Sequence, residues 1–388
     1  MIKNPTSKKT DIASILAEKA LDDNTDFWQK RFEETTDNDV EKALSQTPGA
    51  YSLDKLAILV SPDAEKYLEK MAQLARQLTI QRFGRTIQLY APLYLSNYCV
   101  NSCRYCGFNK ETNFKRTRLT IRDALKEASV LSSQGFRDIL LVSSEDRAFI
   151  TVDYLSELAG KLREKFSSIS IEIYQLTTPE YQTLFKAGIE GVTVFQETYN
   201  RSAYNYFHKA GAKSDYDNRL NCPDSICLAG MREVGLGVLL GLNDWRTETL
   251  ALAEHAHYLT KHYWKSRVSF SFPRLKPAHN VQNQQFKHLL SDTNLVQMIT
   301  ALRLCFADAG MTLSTREKAD LRDNLIKLGI TKISAGSKTC PGGYSGDTRS
   351  TSQFEINDNR SPAQFAAVIK KAGLEPVWKN WDRGFIDT

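Results

Sequence analysis

Three cysteines fall within eight positions of the stretch LSNYCVNSCRYCGF, at Cys99, Cys103 and Cys106. A disulfide would join two of them and strand the third. The other four, Cys222, Cys227, Cys305 and Cys340, lie scattered far downstream. Structural zinc usually takes four protein ligands, commonly as two separated pairs, and this trio has no companion pair. Zinc stays open as an alternative. A four-iron cube suits the trio better, because soft thiolates bind iron and a tight run places several donors around one small object. Three protein thiolates on such a cube leave one iron open to a substrate or cofactor.

The chain that must position this loop has 388 residues, of which 41% are hydrophobic and 25% charged. That is an ordinary soluble composition, long enough for a complete (β/α)8 barrel. The formal charge of +6 is spread along the sequence, with no compact basic block interleaved with aromatics, so no nucleic-acid partner is expected. The stretch MIKNPTSKKTDIAS lacks the apolar core of a signal peptide, and no run approaches the roughly 18 apolar residues of a membrane span. The expected setting is the cytoplasm, with reduced thiols and no membrane partner.

Apolar residues recur at three- and four-residue intervals in DIASILAEKALDD and PDAEKYLEKMAQLARQLTIQRFG, which predicts helices with a stop at Gly84. Residues 1–84 therefore read as an N-terminal helical region. From Ile87 the rhythm changes to short runs rich in Val, Ile, Leu and Phe: IQLYAPLYL, RDILLVSS, ISIEIYQL, GVTVFQ, GLGVLLGL, RVSFSFPRL, MTLSTRE and ITKISAGS. Helical stretches separate them, and such alternation implies parallel strands. Eight strands close a barrel, giving an α/β fold with a TIM-type barrel over 85–340 and a C-terminal segment, 341–388, packed on it.

Chemistry in such barrels gathers at the carboxyl ends of the strands. The cysteine loop directly follows the first strand, so it belongs there. Polar residues ending the other strands should face the same mouth. These are Ser143, Ser144 and Glu145 after the second strand, Gln175 on the third, Gln196 and Glu197 on the fourth, and Asn243 and Asp244 after the fifth. Arg274 follows the sixth, Ser314, Thr315 and Arg316 the seventh, and Ser334 and Ser337 the eighth. His255, His257 and His262 read as residues of a covering helix, and Cys222 and Cys227 as free thiols in a polar connection before the fifth strand.

The spacing C-x3-C-x2-C is the signature of the radical S-adenosylmethionine (SAM) enzymes, and Cys99, Cys103 and Cys106 match it without a gap. Beyond that loop the chain resembles the 2-iminoacetate synthases, the tyrosine lyases of thiamine thiazole biosynthesis. The segments that carry the resemblance are PLYLSNYCVNSCRYCGF, VTVFQETYN, GLGVLLGL with DWR, SFPRLKP, LSTRE, ISAGSKTCPGGY and PVWKNWD, spanning about Ile58 to Asp382. The resemblance implies a [4Fe-4S] cluster on the three cysteines, with SAM on the open iron. Reductive cleavage of SAM to a 5′-deoxyadenosyl radical would then break the Cα–Cβ bond of L-tyrosine, giving p-cresol and 2-iminoacetate. It also implies a thiazole synthase subunit as partner and a flavodoxin or ferredoxin-type electron donor.

Roles follow from the same likeness. Tyr105, the aromatic before the last cysteine, would lie near the adenine. The strand-two motif that holds the methionine amine is usually glycine-rich; here it reads VSSE, so Ser143 and Ser144 depart from it while Glu145 keeps the acidic end. Gln175 and Glu197 complete the cofactor set. The tyrosine carboxylate favours a guanidinium fork. Arg316 is the first choice with Ser314 beside it, Arg274 is the reserve, and Tyr94 borders the substrate. Two related activities are weighed against this one. The tyrosine lyase of hydrogenase maturation carries extra cysteines for a second cluster, whereas only Cys340 occurs near this end. A tryptophan lyase would share barrel and chemistry. A non-enzymatic iron–sulfur or zinc protein with an acidic partner is the reading from a different class.

Overall fold

A computed structural model describes residues 11–23, 25–278, 281, 286–346 and 350–380. Eight parallel strands close on themselves: β1 (Thr86–Ser96), β2 (Asp138–Ser143), β3 (Ser168–Glu172), β4 (Gly191–Glu197), β5 (Glu233–Val238), β6 (Arg267–Ser271), β7 (Gly310–Leu313) and β8 (Lys332–Ser334). Each pairs with the next, and β1 closes the ring, with Ala91 opposite Ile139 of β2 and Leu89 opposite Ile333 of β8. All eight anticipated strands are present. A ninth, β9 (Glu375–Val377), is an addition; it runs parallel to the start of β1, with Thr86 opposite Glu375.

The strands form because alternate side chains bury against covering helices. In β3, Ile169 and Ile171 are almost fully buried, and each such side chain contributes about 1.5–3 kcal/mol. Threonine starts several of the helices, as a hydroxyl accepting from a third-residue amide satisfies one unpaired donor. Thr120 caps Ile121–Ser133 and Thr151 caps Val152–Leu162, at 3.2 and 3.1 Å. At the end of the helix Leu68–Phe83, Gly84 has φ +68°, a value that suits glycine, so the anticipated stop is real.

The helices before Gly84 share one apolar core with the barrel: Ile12, Leu16, Phe32 and Leu56 are buried within it. The ammonium of Lys55 joins them, donating to the carbonyls of Thr47, Ala50 and Leu304 at 3.0, 3.1 and 3.2 Å. Two expectations need correction. Cys222 and Cys227 do not lie in a connection but are buried on the helix Tyr216–Leu228, which tolerates Pro223 in its interior. β3 ends at Glu172, so Gln175 is on the loop leading to Thr177, the cap of the helix Thr178–Ala187.

Candidate active site

The loop after β1 carries the three cysteines, and all three line a cavity at the carboxyl ends of the strands. Their local path is fixed by Arg116. Its guanidinium donates to the carbonyls of Asn97, Phe108 and Asn109 at 2.7, 2.7 and 2.6 Å and stacks over Phe114. A second anchor is the helix Arg201–Phe207: Arg104 N donates to Phe207 O at 2.9 Å and Ser102 N to Ala210 O at 2.8 Å. The cysteines are free thiols. Burial pushes Cys103 up to about 12. Among the described residues no three His, Cys, Asp or Glu side chains close on a single ion. A cube takes each thiolate on a different iron and so needs them spread around a cavity, and the donor set fits such a cluster.

On one side of this cavity, Tyr105 and Glu197 sit beside buried polar partners. His208 Nδ1 lies 2.8 Å from the carbonyl of Tyr204, so it carries the proton, and Nε2 accepts from the Tyr105 hydroxyl at 2.8 Å. Burial, aided by Lys213, lowers His208 to about 3, so it is neutral. Glu197 ends β4 at φ +71°, where the register with β5 shifts, and its carboxylate pairs with Lys213 Nζ. Burial alone would raise Glu197, but Lys213 and Arg219 outweigh it and hold the carboxyl below its usual range. Glu145 accepts from Asn101 at 3.3 Å and lies 3.4 Å from Arg147. Ser143 and Ser144 line the same wall, each with its hydroxyl turned to a backbone carbonyl.

A second cavity continues into the barrel, and Tyr94, Val142, Glu172, Phe195, Pro273, Arg316 and Phe354 line both. Arg316 is the cation between them. Its guanidinium stacks 3.4 Å over Phe354 and makes one long hydrogen bond, 3.4 Å to Arg274 O, leaving most of its donors unused among the described residues. Ser314 accepts from Arg316 N at 3.3 Å and lines the inner cavity. The Tyr94 hydroxyl donates to Gln353 Oε1 at 2.8 Å.

Other anticipated residues lie elsewhere. Arg274 is absent from both linings; it pairs with Glu317, bonds Asp292 at 2.6 Å and donates to Leu290 O at 3.2 Å, so its fork is consumed in a rim network. Gln175 is buried behind the lining, its carbonyl bonded by Arg147 and its side-chain amide nitrogen without a partner among the described residues. Asp244 caps the helix Trp245–His262 and Asn243 donates to Glu248 at 3.1 Å. His255 is buried against Tyr199, as expected of a covering helix.

Sequence reasoning missed Glu172, Lys213, Arg219, Arg116, Gln353 and Phe354. Glu172 had a signal: Ser168, Ser170 and Glu172 alternate with three isoleucines, a polar face turned inward. Gln353 and Phe354 had none, since only the folded chain brings the C-terminal segment to the mouth.

Residues 93–253 match the radical SAM superfamily, and residues 271–375 match the biotin and thiamin synthesis associated domain. The chain is 43% identical over 345 residues to a 2-iminoacetate synthase of Escherichia coli, covering 89% of this chain and 90% of that one. With its Salmonella typhimurium counterpart it shares 41% over 367 residues, covering 92% and 96%. Its fold superposes on the crystal structure of HydG, a maturase of the [FeFe]-hydrogenase, with TM-score 0.85 and 33% identity, covering 92% of this chain and 80% of that one. It superposes on methylornithine synthase with TM-score 0.66 at 20% identity, covering 90% and 97%, a likeness of fold.

Proposed function

The chain belongs to the 2-iminoacetate synthase family of radical SAM lyases, and from that membership we propose that it cleaves the Cα–Cβ bond of L-tyrosine to 2-iminoacetate and p-cresol, for the thiazole moiety of thiamine. The observation that carries the reading is the joining of two half-sites. The cysteine trio lines the outer cavity, and an underused guanidinium, Arg316, stands where that cavity meets the inner one.

When bound, a [4Fe-4S] cluster and SAM supply the 5′-deoxyadenosyl radical that oxidises tyrosine, ending as 5′-deoxyadenosine and methionine. Cys99, Cys103 and Cys106 hold the cluster. Tyr105, Ser143, Ser144, Glu145 and Glu197 form the cofactor wall, from which Gln175 is withdrawn. Arg316 receives the tyrosine carboxylate with Ser314 beside it, and Tyr94 borders the ring. Arg274 acts instead as a rim residue that fixes Glu317 and, through its carbonyl, Arg316. The imine product hydrolyses in water, which favours direct delivery to a thiazole synthase subunit. A flavodoxin or ferredoxin-type protein supplies electrons, and the setting is cytoplasmic.

The test is anaerobic incubation of cluster-reconstituted protein with SAM, a low-potential reductant and tyrosine. Both 5′-deoxyadenosine and p-cresol should accumulate. SAM cleavage without p-cresol, with the cluster verified by iron content, would reject tyrosine as substrate.

A further inference from the structure

The inner cavity holds a second charged group that faces Arg316. Glu172 is the last residue of β3, and its register partner is Val142, whose partner in turn is Tyr94. These three side chains form one row across β3, β2 and β1, and all three line both cavities. Among the described residues the Glu172 side chain makes neither a hydrogen bond nor an ion pair, and its residual exposure is to the cavity.

The charged groups that act on it most strongly come from several elements. Across the gap stands Arg316, the strongest nearby cation acting on it; Glu197 comes from β4, Lys213 from the 3-10 turn Ala212–Ser214 and Arg219 from the helix Tyr216–Leu228. Tyr90 and Tyr94 of β1 complete the surround. Lys213 is committed to Glu197 and Arg219 Nε to Phe195 O at 2.8 Å. A partly buried carboxylate that opens only on a cavity and has no donor of its own is favoured by a ligand that supplies one. Glu172 and Arg316 therefore present opposite charges, facing one another without touching. An α-amino acid, cationic at nitrogen and anionic at its carboxylate, is complementary to that pair.

We propose that Glu172 and Arg316 clamp the amino-acid backbone of the substrate, with the Glu172 carboxylate binding the amine and accepting one proton from it. This rests on the tyrosine-lyase reading. The step balances without a co-reactant. One N–H bond of the ammonium breaks with its electron pair left on nitrogen, and one O–H bond forms on Glu172. Nothing is oxidised or reduced. The neutral amine has the lone pair that an adjoining radical centre needs, which an ammonium lacks. Burial raises Glu172 to about 7, with Arg316 the main opposing influence, so the group is suited to exchange a proton near neutral pH.

The experiment compares reconstituted wild type with Glu172→Gln. It uses equilibrium binding of L-tyrosine and of 3-(4-hydroxyphenyl)propanoate, which lacks the amine, followed by p-cresol formation across pH. Cluster absorbance and SAM binding should be equal in both proteins. Wild type should prefer tyrosine over the desamino acid by about tenfold or more, as for a charge-assisted hydrogen bond, and the variant should lose that preference. Turnover by the variant should rise about tenfold per pH unit toward wild type, since solvent then removes the proton. Equal loss for both ligands, or a variant whose pH profile parallels wild type, would overturn the clamp. If wild type forms no p-cresol, the lyase reading fails, while the two binding constants still judge whether Glu172 meets an amine.

Discussion

Arg316 illustrates how a single side chain is made into a recognition element. It is desolvated, which lowers its pKa, yet a guanidinium remains charged at any physiological pH. Stacking over Phe354 fixes its plane and leaves its edges free for a carboxylate. Lysine keeps the charge but loses both the fork and the stacking surface. Arg316→Lys should therefore weaken tyrosine binding by about tenfold to a hundredfold, the worth of one charge-assisted hydrogen bond. Iron content and SAM affinity should stay at wild-type values. Equal tyrosine affinity in isothermal titration of both proteins would move the carboxylate site elsewhere. At this scale the sequence was uneven. The place of the cysteines at the cavity was legible because their spacing is local and their loop follows a readable strand, and that of Arg316 and Ser314 because they end another. Arg274 stood as the reserve to Arg316, and the positions of Glu317 and Asp292 take its guanidinium into the rim network.

At the scale of elements, the cavity exists because inward positions are small or polar while outward positions are apolar. In β5, Gly235 and Gly237 leave the room that Thr193 and Phe195 of β4 occupy. A Cβ on Gly237 would lie 2.7 Å from Phe195 Cδ1 and 3.0 Å from Ser271 O, and the latter is backbone that cannot rotate away. Gly237→Ala should cost about 1–3 kcal/mol of unfolding free energy, the usual range for overpacking, read from urea denaturation. Because Phe195 lines both cavities, tyrosine affinity should fall as well. A variant with unchanged stability and affinity would show that the ring has space to yield. The eight barrel strands were legible through their apolar outward faces. β9 was not, because Glu375, Pro376 and Val377 are too short and proline-containing to stand out as a strand; proline is tolerated there on an edge strand. The helix Tyr216–Leu228 was hidden by NCPDS, a run of poor helix formers held in place by burial of Leu220, Cys222 and Ile226.

Across the whole molecule, the C-terminal segment works as a strap over the barrel mouth. Tyr344 OH donates to Pro92 O at 2.8 Å, Glu127 accepts from Tyr344 N and Ser345 N at 2.7 Å each, and Asn357 N donates to Thr315 O at 3.0 Å. Between these anchors Gln353 reaches Tyr94, and Phe354 lies against Arg316, so the strap contributes part of the site wall. Its strongest tie is ionic. Arg322 and Asp358 pair with both side chains 1% exposed, and Arg360 bridges Asp358 at 2.6 Å and Asp323 at 2.8 Å. Removing one partner leaves a buried guanidinium uncompensated, so Asp358→Ala should lose about 3–5 kcal/mol of stability. It should also raise the tyrosine KM, as Gln353 and Phe354 lose their support. Burial would push Asp358 up, but Arg360 and Arg322 outweigh it and hold the carboxyl below its ordinary value. A depressed carboxyl stabilises fully above its unfolded pKa of about 4 and loses that contribution as pH falls through the folded value. The stability gap between wild type and Asp358→Ala, measured by urea denaturation, should then be constant from neutral pH down to about 5 and narrow below about 4. A gap that widens on acidification would mean that Asp358 is protonated in the fold and that the strap is held by contacts other than this pair.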